Sequence, residues 1–217
     1  MAAFTAHDIL RGTIYQCVSR KCFGMAIRPE SSTAVEYTSL HTIPGRDLIV
    51  LHSGEHDREE VWSRVRPLID DQANVLTVHD AYQHIDQISR LRRSIETLIH
   101  VTDPKPRLVL AGWAGGIARV TELAGTRLAP VHGLVICSGA TTLTPGGVDQ
   151  KLSAHAAIST VMILPGASSE LDKIQRERLH AFPHAREVIA GRSKDCPPRE
   201  RPELVAEVIL GLLQRQQ

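Results

Sequence analysis

The segment Leu108-Val-Leu-Ala-Gly-Trp-Ala-Gly-Gly116 carries the most specific chemical pattern in the chain. An apolar run leads into a glycine-framed turn and then into a helix. In the pattern G-x-S-x-G, two glycines frame a sharp strand-to-helix turn that exposes a serine hydroxyl for nucleophilic attack. Gly112 and Gly116 hold the framing positions, and Ala114 stands where the serine would be. A methyl group cannot attack a carbonyl. The turn still offers chemistry, because the backbone N–H of Gly115 depends on the turn and on no side chain. The helix that starts here adds a partial positive field. The same glycines also suit a purely structural role, letting strand and helix pack closely.

A second group of polar residues lies in Val50-Leu-His-Ser-Gly54, where an apolar strand ends in His52, Ser53 and Gly54, with His56 just beyond. His52 suits either proton transfer or holding the loop by hydrogen bonds. His79 follows the next apolar run. A third group is Asp195 and Cys196, in the loop from Gly191 to Pro202, which contains no histidine. Asp195 can act as a base if burial raises its pKa. Cys196 becomes a nucleophile only if a base or positive field lowers its pKa. Cys137 ends an apolar strand and reads as core packing. Trp113 flanks Ala114 and either lines the pocket or packs beneath it.

Several elements must position these groups. Strand and helix signals alternate along the chain, which predicts a mostly parallel sheet with helices on both faces. Residues 12–28 read as an antiparallel hairpin, followed by a polar linker. Strands are expected at 47–52, 74–79, 107–111, 131–138, 160–164 and 186–190. Helices are expected at 57–68, 85–101, after Gly116 to about 123, at 170–182 and at 201–213. Pro67 lies near the end of the first helix and Pro202 in the first turn of the last.

Composition narrows the function classes. The 217 residues fit one α/β domain spanning 1–217. A net charge of +1 gives no reason to expect nucleic acid or a membrane surface as partner. The four cysteines, Cys17, Cys22, Cys137 and Cys196, form neither a disulfide framework nor a spaced metal site. They read as thiols of a reducing compartment. The start of the chain lacks a basic, then apolar, leader, and no apolar stretch is long enough to span a bilayer. A cytoplasmic location is therefore expected. No phosphate-cradling glycine motif follows the first strands, so no nucleotide cofactor is expected, and no cofactor of any other kind.

On the elbow segment, the Val50–Gly54 loop, Pro165-Gly-Ala-Ser-Ser169 and the loop before Pro202, the chain resembles the α/β-hydrolase family over nearly its whole length. The resemblance implies a minimal member, because only Ala140 to Ile158 lies where a cap domain is usually inserted. It also implies a catalytic triad at three positions, which Ala114, Ser169 and Asp195 occupy in place of the usual nucleophile, acid and histidine. Acyl transfer through a serine needs all three groups together. What the resemblance leaves is an oxyanion hole from the N–H groups of Gly115 and Gly54. The expected site thus has Asp195 and His52 as proton-handling groups. Ser53, Gly54, Trp113, Ala114, Gly115, Ser169 and Cys196 form its pocket around a small-molecule substrate or ligand. The favoured reading is a non-hydrolytic enzyme of small-molecule or secondary metabolism: a lyase, cyclase, isomerase or eliminating enzyme. A catalytically inactive binding protein is the alternative. A third possibility is a hydrolase or acyltransferase whose nucleophile has moved to Ser53, Cys196 or Ser138.

Overall fold

The computed structural model describes residues 14–19, 22–27, 36–37, 40–43, 45–53, 61–79, 86–101, 106–125, 131–137, 158–166, 185–194 and 196–214. Six of its strands form a parallel sheet. They are β5 (Leu48–Ser53), β6 (Asn74–His79), β7 (Leu108–Trp113), β8 (Val131–Cys137), β9 (Ser159–Pro165) and β10 (Arg186–Ala190). The order across the sheet is β10-β9-β8-β7-β5-β6, and β3 (Glu36–Tyr37) closes the far edge antiparallel to β6. Two further strands, β1 (Ile14–Ser19) and β2 (Cys22–Ile27), pair antiparallel, with Ile14 opposite Ile27 and Ser19 opposite Cys22. β4 (Leu40–Thr42) joins β2 to make a separate three-stranded sheet. The stretch expected to be a polar linker therefore contains β3 and β4. Two and three residues long, they are set by partners elsewhere in the chain and have no periodicity of their own.

Successive residues of a strand point to opposite faces, and here both faces are buried. On one, Leu48, Val50, Leu76, Val78, Leu108, Leu110, Leu134 and Ile136 pack against α2 (Asp86–Val101) and α3 (Gly116–Gly125). On the other, Ile49, Leu51, Val75, Val109, Ala111, Val135 and Cys137 pack against the segment 61–73 and the C-terminal helix. That is why the strands read as nearly unbroken apolar runs. The C-terminal helix, labelled α5 below, spans Pro202–Gln214, just after a short helix, α4 (Pro197–Glu200). α5 lies so close to β8 that a Cβ on Gly133 would stand 2.8 Å from Leu212 Cδ1.

The helix expected over 57–68 is corrected in its described part. Residues 61–65 form turns, and the regular helix α1 covers only Arg66–Ile69. Pro67 has no N–H to donate to Ser63, so it opens the regular helix and does not end it. The helix expected over 170–182 and the short insertion over 140–158 lie outside the described residues, apart from Ile158.

The chain order fixes where a site can form. β5 lies between β6 and β7. The chain leaves β5 toward one side, then returns to place β7 on the other. In open parallel sheets, ligands bind beyond the strand C-termini at such a reversal. The residues at this point are His52 and Ser53 of β5 and Gly112 and Trp113 of β7.

Candidate active site

At the end of β7 the backbone turns sharply through Ala114 and Gly115 into α3. Ala114 has φ 49°, the only positive φ of a non-glycine residue among the described residues. A left-handed alanine costs roughly 1 kcal/mol, because its Cβ crowds the following carbonyl. The Ala114 carbonyl accepts the N–H of Ile117 at 3.1 Å, which starts the helix. The framing glycines are sterically required. A Cβ on Gly116 would lie 2.2 Å from the His52 carbonyl oxygen, and one on Gly112 would lie 2.6 Å from Val120 Cγ2. The N-terminus of α3 thus sits directly on the end of β5, and its first turn contains no acidic residue to compete for an anion.

His52 and Ser53 are both buried, at 1% and 0% exposure. His52 Nδ1 donates to the Ser53 carbonyl at 2.8 Å; a carbonyl only accepts, so Nδ1 carries the proton. This bond ties the ring to the loop that follows β5. Trp113 lies on the opposite face of the sheet from α3, packed against the cluster that includes α5. Its Nε1 is buried without a hydrogen-bond partner. On β8, Cys137 is its register neighbour.

The loop after β10 is fastened at several points. Gly166 N–H donates to the Ser193 carbonyl at 3.0 Å, and Ser193 N–H to the Ala190 carbonyl at 2.6 Å. Lys194 N–H donates to Glu200 Oε2 at 2.6 Å. A Cβ on Gly166 would meet the Gly191 carbonyl oxygen at 2.3 Å, so the loop rests on the end of β9. Cys196 begins α4, its carbonyl accepting from Arg199 and Glu200. Burial and the neighbouring Cys196 push the Cys137 thiol well above its ordinary value.

Of the sequence-expected site residues, the described ones fall at one end of the sheet: His52, Ser53, Trp113, Ala114, Gly115 and Cys196. Gly54, Ser169 and Asp195 lie outside the described residues. Among the described residues no group of three or more His, Cys, Asp or Glu side chains could hold a metal ion. No described helix is long and apolar enough to cross a membrane.

No protein-family model and no curated protein matches the chain by sequence. Its structure does match solved ones. The haloalkane dehalogenase DbeA from Bradyrhizobium elkani USDA94 aligns over 93% of this chain and 98% of its own, with a TM-score of 0.61 and 12% identity. The fold is that of the α/β-hydrolases. MenH from S. aureus shares the α/β-hydrolase fold with 11% identity and a TM-score of 0.56, over 84% of this chain and 98% of its own. The carboxylesterase CesB from Bacillus subtilis shares it with 13% identity and the same TM-score of 0.56, over 95% and 93%. In this α/β-hydrolase fold, the turn through Ala114 joins β7 to α3.

Proposed function

We propose that the chain is a non-hydrolytic enzyme acting on a small molecule: a lyase, cyclase, isomerase or eliminating enzyme. The observation that carries this reading is the left-handed backbone of Ala114. The elbow keeps its strained geometry, and with it the Gly115 donor, while its apex holds only a methyl group. Such a site supports an enolate or alkoxide through backbone N–H groups, and no covalent intermediate forms at position 114. Gly54 would supply the second donor. Asp195 is assigned the proton transfer, in a loop whose neighbours Ser193 and Lys194 are held by hydrogen bonds. His52 is assigned the holding of the donor loop, since its Nδ1 proton is committed to the Ser53 carbonyl. Trp113, Ser169 and Cys196 would shape the surroundings.

The displaced-nucleophile reading fits less well. Ser53 is fully buried and Cys196 is 8% exposed, so neither presents a nucleophile to solvent.

A fluorophosphonate probe and a panel of chromogenic esters test the proposal. No labelling and no turnover are expected from the native chain. Ala114→Ser is expected to gain neither, because a serine hydroxyl without a base stays protonated and weak. Labelling of the native chain that disappears in Ser53→Ala or Cys196→Ala would show a relocated nucleophile and overturn it.

A further inference from the structure

Arg64, Arg192, Lys194 and Arg201 come from two separate stretches of the chain and meet around α4. Arg64 Nη1 donates to the Arg199 carbonyl at 3.0 Å, which lays its guanidinium on the α4 backbone. Arg201, directly after α4, brings its Nη1 to 4.0 Å from where a Cβ on Gly191 would stand. That guanidinium therefore lies over the start of the loop that carries Arg192 and Lys194. The Lys194 N–H donates to Glu200 Oε2 at 2.6 Å, which holds the same loop against α4. Ser193, Cys196, Pro197 and Pro198 are buried beneath, while Arg64, Arg192 and Lys194 are exposed and Arg201 is half-buried. Elsewhere, Arg66, Arg92 and Arg107 each face a carboxylate. Among the described residues, Arg64, Arg192, Lys194 and Arg201 have no such partner. Glu200 and Glu203 are the described carboxylates of this stretch, and Glu200 is engaged with the Lys194 backbone. A chain with a net charge of +1 thus concentrates positive charge on one face. Cations held close together repel one another, and a bound anion relieves that repulsion.

We propose that this basic face docks an acidic segment of a partner protein, with its Asp and Glu carboxylates seated on the Arg64, Arg192 and Arg201 guanidinium groups. A guanidinium receives a carboxylate through two parallel hydrogen bonds, a geometry that a lysine cannot supply. The Arg64 bond to the Arg199 carbonyl uses Nη1 and leaves the Nε–Nη2 edge for such a pair. A polypeptide fits this face better than nucleic acid does. Binding of single strands relies on aromatic side chains on which bases stack. Among the described residues of the face, Arg64, 191–194 and 196–203, none is aromatic. The docking is separate from the reaction proposed above, since it needs neither Ala114 nor Asp195.

The experiment titrates the full chain into a fluorescein-labelled oligoglutamate peptide and reads fluorescence anisotropy. A glycine–serine peptide and an oligothymidylate of the same length run beside it. The oligoglutamate is expected to bind most tightly of the three, and about tenfold or more weaker when salt rises from about 50 to 300 mM. Arg64→Glu combined with Arg201→Glu is expected to weaken this binding about tenfold or more. Arg92→Glu combined with Arg93→Glu makes the same change of charge on α2, which packs on the opposite face of the sheet. It is expected to weaken binding less than about twofold. Equal losses in the two double variants would mean that net charge and not this face holds the peptide, and would overturn the proposal. Tighter binding of the oligothymidylate would overturn it in favour of nucleic acid. Oligoglutamate binding no better than that of the glycine–serine peptide would overturn it outright. The native chain already decides among the three probes, so a variant that folds poorly does not remove the test.

Discussion

At position 114 the backbone and the side chain pull in different directions. The turn demands a left-handed conformation, and alanine adopts it only at a cost of roughly 1 kcal/mol. Glycine would relieve that cost, provided its greater freedom in the unfolded chain does not cancel it. Ala114→Gly is therefore expected to raise the melting temperature by about 2–4 °C, with the elbow geometry unchanged. A fall in melting temperature would mean that the methyl group packs favourably enough to outweigh its strain. Gly116 is the opposite case. Its missing Cβ leaves room for the His52 carbonyl, and a Cβ at 2.2 Å from that oxygen can only be accommodated by moving backbone. Gly116→Ala is expected to cost about 3 kcal/mol or more in denaturant unfolding, because the obstacle is a strand and not a flexible side chain. The two substitutions separate the roles of the elbow: one residue sets the turn, the other lets the turn touch β5.

Elements hold the site by being pinned at the opposite, N-terminal ends of the strands. Arg107 sits just before β7 and makes a bidentate pair with Asp47, just before β5, at 2.8 Å for Nη2–Oδ2 and 3.2 Å for Nε–Oδ1. The Arg107 backbone N–H also donates to Asp47 Oδ1 at 2.8 Å, and its Nη1 donates to the Leu213 carbonyl at the end of α5. One carboxylate thus joins two central strands, and one guanidinium joins them to a helix. The pair is only a fifth to a third exposed, so solvent weakens it less than a surface pair. Asp47→Ala is expected to cost about 2 kcal/mol in chemical denaturation, leaving the guanidinium and a backbone N–H without their acceptor. Glu96→Ala, which breaks the exposed Arg92–Glu96 pair of α2, is expected to cost under about 0.5 kcal/mol. Equal losses for the two would contradict the pinning role of Asp47. The register shift between β7 and β8 is another such device. There the Leu108 N–H donates to His132 Nδ1 at 3.3 Å, so a side chain supplies an acceptor where the ladder is irregular.

On the scale of the whole molecule, legibility in the sequence follows the range of the interactions. The parallel sheet was readable because each strand is buried on both faces and so carries a local apolar run, as in Leu48–Ser53 and Leu108–Trp113. The elbow was readable because close approach demands glycine at 112 and 116, whatever lies nearby in space. β3 and β4 were not, since two or three residues become strands only by pairing with His79, Val78 or the β2 backbone. The side of the sheet taken by Trp113, and the burial of Cys137 and Cys196 in the cluster on that same side, depend on packing across strands and helices that no local pattern encodes. The burial of Cys137 also sets a property of the entire fold. Burial, with Cys196 adding to it, raises the folded-state Cys137 pKa above its ordinary value near 9.0. The unfolded chain therefore releases this proton at lower pH than the folded one does. The linked stability is fully present below about pH 9 and is lost as pH rises beyond it, by up to about 1.4 kcal/mol per pH unit. Guanidinium unfolding from pH 8 to 10 is expected to show this decline, and Cys137→Ala, although less stable at pH 8 through lost packing, is expected to show a shallower one. Parallel declines in the two proteins would mean that the Cys137 thiol ionises as readily in the fold as outside it, and that its burial does not resist the charge.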